Sequence, residues 1–151
     1  MFLRWTFLHI IILKFFLDSH FRCPDDVYIS KLNASHASVI NDLWPHKYNG
    51  SEKYVETFIE TNGGYGIFLR NNHQLVSWIL INHLGILGAL QTVQDYKRRG
   101  YGALMIKVLS KHVAEEGCTP MALILNSNQT SGALFRLLGF KVFDEYTYIE
   151  V

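Results

Sequence analysis

Hydrophobic and polar positions follow two rhythms along this chain, and together they predict a mixed fold. Runs of apolar, β-branched and aromatic residues suit a pleated, half-buried surface and predict strands; these runs lie at 27–32, 65–69, 75–81, 86–93 and 121–125. Apolar residues spaced three and four apart predict helices, at about 33–43, 51–62, 100–116 and 128–138. Residues 140–151 predict one or two final strands. The order β-α-α-β-β-β-α-β-α-β describes an α/β fold, with a central mixed β-sheet flanked by helices.

Local signals fix where the first two helices begin. Asn33 is expected to cap the first helix, which ends before the pair Trp44-Pro45 because the residue before proline avoids helical geometry. Ser51 is expected to cap the second helix, which ends at Gly63.

The N-terminal segment is more apolar than the rest of the chain. Residues 1–22 are mostly Phe, Leu, Ile and Trp, interrupted by Arg4 and Lys14. We expect an apolar helix that lies on the domain or pairs with another chain; a membrane signal and an inaccurate start of the reading frame are the alternatives. The run is shorter than the roughly 20 apolar residues of a membrane span and lacks a small-residue cleavage site. Residues 1–17 are the part that membrane contact would use.

A turn at residues 23–26 separates this segment from the rest of the chain. The predicted organisation is an apolar segment at 1–25, to which the sequence assigns no role, and one domain at 26–151. A length of 151 residues suits a single domain, and a net charge of +1 gives no reason to expect a nucleic-acid partner. Cys23 and Cys118 lie far apart and predict reduced thiols without a metal site, typical of the cytoplasm. Mitochondrial and membrane-associated locations stay open, as does the oligomeric state.

The most informative stretch runs from Lys97 through Ala103. Its sequence is Lys97-Arg98-Arg99-Gly100-Tyr101-Gly102-Ala103, and it opens the longest predicted helix. Helix N-termini present unpaired N–H groups and partial positive charge, and glycine lets a ligand approach the backbone, so this stretch predicts a phosphate site. The pattern lacks the Gly-Lys-Ser/Thr ending of a nucleotide-hydrolysing loop, so it does not fit that class of phosphate site. It does not fit a dinucleotide fingerprint either, because Met105 replaces the third glycine.

Two motifs in this order are informative. The first is the basic residue three positions before Gly-x-Gly at a helix start. The second motif, on the next helix, consists of Asn128, Ser131, Leu134, Phe135, Gly139 and Phe140. Together they resemble the motifs of the GNAT superfamily of N-acyltransferases. Within the superfamily the chain is similar to the C-terminal domain of glycine N-acyltransferase-like proteins of the insect type, in segments 44–51, 75–80 and 88–92.

This resemblance implies a GNAT-like fold and an acyl-CoA co-substrate, acetyl-CoA or larger, without a metal. It implies that the amine of a small acceptor, such as glycine or another amino acid, attacks the thioester directly. The resemblance assigns CoA binding to Thr92, Val93, Lys97, Arg98, Arg99, Gly100, Tyr101, Gly102, Ala103, Asn128, Ser131 and Phe135.

The catalytic positions depart from the family pattern. Lys97 replaces the usual Arg or Gln, Phe135 replaces a tyrosine that protonates the leaving thiolate, and Ile86 falls about where a glutamate base is expected. His83 is the nearest replacement base, although it also fits a solvated loop histidine. The alternative function is therefore a catalytically impaired CoA-binding domain with a regulatory or interaction role. Trp44, Tyr48 and Trp78 suit either a pocket wall or the core.

Overall fold

The computed structural model describes residues 2–10 and 20–149. Its strands are β1 (Phe2–Ile10), β2 (Val27–Lys31), β3 (Gly64–Leu69), β4 (Leu75–Ile81), β5 (Leu87–Thr92), β6 (Met121–Leu125) and β7 (Phe140–Ile149). Its helices are α1 (Ala37–Asp42), α2 (Ser51–Asn62), α3 (Tyr101–Glu115) and α4 (Gln129–Leu137), with single 3₁₀ turns at Ala34–His36 and Gln94–Tyr96. The described residues form two compact units, 20–109 and 2–10 with 110–149. None of the described helices has the length and hydropathy needed to cross a membrane.

The larger unit, residues 20–109, is an antiparallel meander. Strand β2 pairs with β3, β3 with β4 and β4 with β5. Side chains of α1 and α2, such as Ile40, Val55 and Ile59, are buried together with Trp78 and Leu80 of the sheet. This burial of one helix face against one sheet face removes apolar surface from water, which is the main stabilising term of such a layer.

The two predicted helix caps had different outcomes. Asn33 caps the 3₁₀ turn Ala34–His36 that leads into α1: its side chain accepts the N–H of Ser35 at 3.0 Å, and the ring of His36 accepts the N–H of Asn33. The residue directly before α1 is His36, which makes no side-chain cap. Ser51 as a cap is wrong: the residue before α2 is Gly50, at φ +93°, which makes no side-chain cap. Ser51 is buried, and its Oγ lies 2.6 Å from Asn41 Oδ1 and accepts the Tyr48 N–H at 3.0 Å, so it fastens the preceding loop.

The smaller unit, residues 2–10 with 110–149, is organised around the N-terminal strand. Strand β1 lies between β6 and β7 and is antiparallel to both, so that Leu8 faces Ala122 on one side and Val142 on the other. The predicted N-terminal helix is therefore wrong for the described part of that segment. Thr6 and Leu8 are buried while Arg4 is exposed, and a short run that is apolar throughout does not distinguish a central strand from a helix.

This placement also differs from the predicted division of the chain, in which residues 1–25 stood apart from one domain. The structure groups residues 2–10 with 110–149, because β1 supplies the middle strand of their sheet. Residues 11–19 lie outside the described part of the chain. The C-terminal segment forms one strand, β7, through the described residues up to 149. The predicted fold class, a sheet flanked by helices, is confirmed.

Candidate functional site

The stretch before α3 changes backbone direction sharply. Strand β5 ends at Thr92, a 3₁₀ turn comes next, and Lys97 is extended. Arg98 then has φ +64° and Gly100 has φ +79°. A left-handed Arg is uncommon and costs on the order of 1–3 kcal/mol, a strain that recurs at ligand-binding sites. The alternation of left-handed residues resembles the concave arrangement of N–H groups that binds anions.

The backbone N–H groups of residues 98–103 make no hydrogen bond to any described residue. The first N–H of α3 that is paired is that of Leu104, which donates to the carbonyl of Gly100 at 3.0 Å. An ideal Cβ placed on Gly100 has nothing within 4 Å, so the space beside Gly100 is open. The N–H groups of residues 98–103 thus have no partner among the described residues and lie at the positive end of a 15-residue helix.

The same stretch carries three cationic side chains. Lys97, Arg98 and Arg99 are all exposed. The guanidinium of Arg99 lies 5.0 Å from the ring centre of Tyr96 and donates to the carbonyl of Asp95 at 3.4 Å, so it is held beside the turn. Arginine offers a planar fork that matches phosphate oxygens. The sequence-predicted residues 97–103 thus come together as one cationic, donor-rich surface.

Thr92 and Val93 differ in the availability of their N–H groups. The N–H of Val93 donates to the carbonyl of Val76 at 2.9 Å, so it is already used within the sheet. The next pair in register is Ser77 with Thr92. Hydrogen-bonded and non-bonded pairs alternate in an antiparallel ladder, so the Thr92 N–H points away from β4. The Thr92 hydroxyl is 2.8 Å from Ser77 Oγ.

A β-bulge in β5 was not predicted. Trp78 pairs with Gln91 and Leu80 with Gly88, which leaves one extra residue in β5. Ala89 lies within it at φ +51° and is exposed. Bulges of this kind bend a strand and are frequent beside functional sites. No sequence signal would have found it, since alanine rarely adopts a left-handed conformation.

His83 is placed away from Thr92. It lies in the turn before β5, whereas Thr92 is the last residue of that strand. Five residue steps of about 3.3 Å place the two ends of the strand roughly 16 Å apart. The His83 ring is exposed, stacks on Phe58 with centres 5.8 Å apart, and has its Nδ1 3.4 Å from the Tyr54 hydroxyl. The histidine is thus a neighbour of α2 and not of the loop before α3.

The residues of the second motif occupy the smaller unit. Asn128 precedes α4 and its Oδ1 accepts the N–H of Ser131 at 3.1 Å, which leaves the Nδ2 donors of the Asn128 side chain without a partner among the described residues. Ser131 is half-buried. Phe135 is 3% exposed and packs edge-on against Phe140, with ring centres 5.0 Å apart. Phe135 is therefore a core residue of this unit.

The aromatic residues at 44, 48 and 78 have separate environments. Trp78 is buried in the core, and Trp44 packs against that core. Tyr48 is 58% exposed and lies beside Trp44, with ring centres 6.4 Å apart. Ile86 is buried. Among the described residues no group of three His, Cys, Asp or Glu side chains is arranged to hold a metal ion.

Comparison with known proteins agrees with this geometry. The family model described as FR47-like protein matches residues 64–149, which is more than half of the chain. The chain belongs to the FR47-like family. It is also 30% identical over 112 residues to the human glycine N-acyltransferase-like protein 2, across 74% of this chain and 38% of the human protein. This family member is thus a GNAT N-acyltransferase relative that resembles the glycine N-acyltransferase-like proteins.

Solved structures show the same fold. A Drosophila protein is 26% identical, with a TM-score of 0.89 over 97% of this chain and 50% of its own. A GNAT-family protein of Novosphingobium aromaticivorans matches at a TM-score of 0.69 and 18% identity, over 97% of this chain and 63% of its own. An aminoglycoside N-acetyltransferase in complex with CoA matches at 0.68 and 13% identity, over 87% and 99%. The chain thus spans about two fifths of the human relative and half of the Drosophila protein.

Proposed function

We propose that this member of the FR47-like family is an acyl-CoA-dependent N-acyltransferase that acts on a small amine. One observation carries the proposal: the N–H groups of residues 98–103, at the start of α3 and beside Arg98 and Arg99, have no hydrogen-bond partner in the part of the chain that the structure describes. A diphosphate is the part of CoA that such a surface would bind, because its oxygens accept several N–H donors while the guanidinium groups neutralise its charge.

The residues fit CoA at more than the diphosphate. The Thr92 N–H, which points away from β4, provides a donor for an amide of the pantetheine arm, as an added strand would use it. The Val93 N–H is excluded from this role because Val76 accepts it. The fold neighbour that is an aminoglycoside N-acetyltransferase was solved with CoA, which supports the choice of this ligand.

Acyl-CoA supplies an activated thioester, and the chain positions it for direct attack. The acceptor nitrogen forms a bond to the acyl carbon, the carbon–sulfur bond breaks, and the sulfur leaves as the CoA thiolate. The proton that the amine loses passes to water. Positioning of the two reactants accounts for most of the acceleration in this scheme, since a general base contributes roughly 10²–10⁴-fold where one is present.

A small amino acid is the acceptor that we propose. The similarity to human glycine N-acyltransferase-like protein 2 supports this class. The test is a thiol-release assay with acetyl-CoA and benzoyl-CoA against glycine, alanine, glutamine and spermidine. We expect thiol release that depends on an amino acid, and mass spectrometry should find the N-acyl product. Thiol release with spermidine alone among these amines, or a rate of thiol release that no amine increases, would contradict the assignment.

A second function is favoured by the residues at the usual catalytic positions. Ile86 is 5% exposed and Phe135 is 3% exposed, and both are packed in the interior where they neither donate nor accept a proton. A CoA-binding domain with impaired catalysis, used for regulation or interaction, fits these two residues. Saturable CoA binding without turnover on every amine in the panel would establish this function in place of the first.

A further inference from the structure

A cleft of about 200 Å³ lies within the smaller unit, under the N-terminal half of α4. We call it the α4 cleft. Its lining residues are Thr6, Leu8, Ile124, Leu125, Asn126, Asn128, Gln129, Gly132, Arg136 and Glu145. Strand β1 supplies one wall, so the unexpected position of the N-terminal segment creates this cleft. At roughly 30 Å³ per water molecule it has room for about seven waters, which suits a small molecule.

The α4 cleft combines an apolar floor with a polar rim. Leu8 and Ile124 are buried beneath it. The hydroxyl of Thr6, itself 5% exposed, donates to Asn126 Oδ1 at 2.6 Å, and Asn128 Oδ1 accepts the Ser131 N–H. Both asparagine oxygens are thus occupied, and their Nδ2 groups remain as donors. An apolar base with a few fixed polar groups is the usual composition of a small-molecule site.

Two side chains of opposite charge, Arg136 and Glu145, line the α4 cleft and do not form an ion pair with each other. Neither Arg136 nor Glu145 has an ion-pair partner within 4.0 Å among the described residues. The Arg136 guanidinium lies close over Gly132, where an added Cβ would be 3.0 Å from Nη1. Glycine at this buried helical position therefore leaves room for the guanidinium. A ligand that bridges the two charges needs an anionic and a cationic end.

We propose that the α4 cleft binds a small α-amino acid, the acceptor class of the proposed transfer; in that role the inference rests on the proposed function. The carboxylate pairs with Arg136, aided by the asparagine donors and by the positive end of α4. The ammonium group of the bound zwitterion pairs with Glu145 and loses one proton to water before its nitrogen attacks the thioester. A short apolar side chain covers Leu8 and Ile124.

Ligand-observed NMR titrations test this proposal with glycine and L-alanine, on the folded chain alone and on the chain saturated with CoA. We expect saturable binding of L-alanine and at least about tenfold weaker binding of propionate and of ethylamine, which each keep only one of the two charges. These comparisons use the unaltered protein. No saturable binding in either state, or equal binding of propionate or ethylamine, overturns the proposal.

Variants locate the binding. Arg136→Gln and Glu145→Gln should each weaken L-alanine at least about tenfold, whereas the exposed controls Arg22→Gln and Glu116→Gln leave it unchanged. Gly132→Ala separates binding from folding: it improves helix propensity by up to about 1 kcal/mol, while its Cβ requires the Arg136 guanidinium to shift by a few tenths of an ångström and should weaken binding. Unchanged binding in both charge variants overturns the proposal.

The proposal and the proposed function fail separately. Titration of CoA itself reports on the loop before α3, and L-alanine reports on the α4 cleft. Absence of CoA binding contradicts the transferase and leaves amino-acid binding to be judged by the variants at 136 and 145. CoA binding and turnover with an amino acid whose KM is unchanged in both variants contradict the cleft and leave the transferase intact.

Discussion

Replacement of Leu8 by alanine tests the position of the N-terminal strand. Leu8 is fully buried and lies between Ala122 of β6 and Val142 of β7. Truncation of a buried leucine removes transfer free energy and leaves a cavity, at a cost of about 2–5 kcal/mol in the free energy of unfolding. For a chain of this size, each kcal/mol lowers Tm by about 2–4 °C, so we expect a loss of roughly 4–20 °C.

The matched control is Arg4→Ala in the same strand. Arg4 is exposed, so this change should alter the free energy of unfolding by no more than about 0.5 kcal/mol. Thermal unfolding measures the size of the effect, and hydrogen exchange with mass spectrometry locates it. We expect Leu8→Ala to increase exchange in 121–125 and 140–149 while 64–81 retains its protection, because β1 pairs with β6 and β7.

A cost of Leu8→Ala no larger than that of Arg4→Ala would refute the buried position of β1. A helix on the surface, or a segment outside the fold, would tolerate both changes alike. A rise in exchange confined to 64–81 would refute the pairing of β1 as well, since β3 and β4 belong to the other unit.

Three further predictions concern single residues. Gly100→Ala and Gly117→Ala should each cost about 1–2 kcal/mol of stability, because both glycines have φ near +80°. Calorimetry should show weaker CoA binding only for Gly100→Ala, and an equal loss of affinity in both variants would contradict CoA binding at the loop before α3. His83→Ala should lower the turnover rate by less than about tenfold in the thiol-release assay, since a true base contributes more; a hundredfold loss would make His83 the base. Burial is the largest influence on the Cys23 thiol and raises its pKa, with Asp26 and Asp25 adding to the rise and Arg70 opposing it. Less thiolate is therefore present at pH 7.5, and iodoacetamide should modify Cys23 more slowly than the exposed Cys118, as measured by mass spectrometry. Faster modification of Cys23 would refute this prediction.

The larger unit was the easier part to predict from sequence. Apolar runs and helical spacing predicted β3, β4 and α2 nearly to the residue, because the two strands are buried along almost their whole length and α2 has one buried face. The loop before α3 was also predicted, since glycine at a helix start and clustered basic residues both have direct physical meanings. The left-handed backbone of Arg98 was not predicted, because a local pattern does not reveal strain that the surrounding fold imposes.

The smaller unit shows what sequence patterns leave open. Strand β1 pairs with segments more than 100 residues away, and such long-range pairing leaves no local trace. The α4 cleft depends on that pairing, because Thr6 and Leu8 form one of its walls. Ser51 illustrates a smaller error, in which a residue type suited to a helix cap bonds instead to Asn41 and the preceding loop.

Calorimetric titration of CoA against the folded chain tests the central claim most directly. The account predicts saturable binding that weakens at least about tenfold in the double variant Arg98→Gln/Arg99→Gln, because each exposed arginine loses a charge-assisted contact to phosphate. The control Arg22→Gln/Lys31→Gln, which removes two exposed charges elsewhere in the same unit, should bind as the unaltered chain does. No heat with CoA or any CoA thioester, or equal affinity in both double variants, would contradict the account.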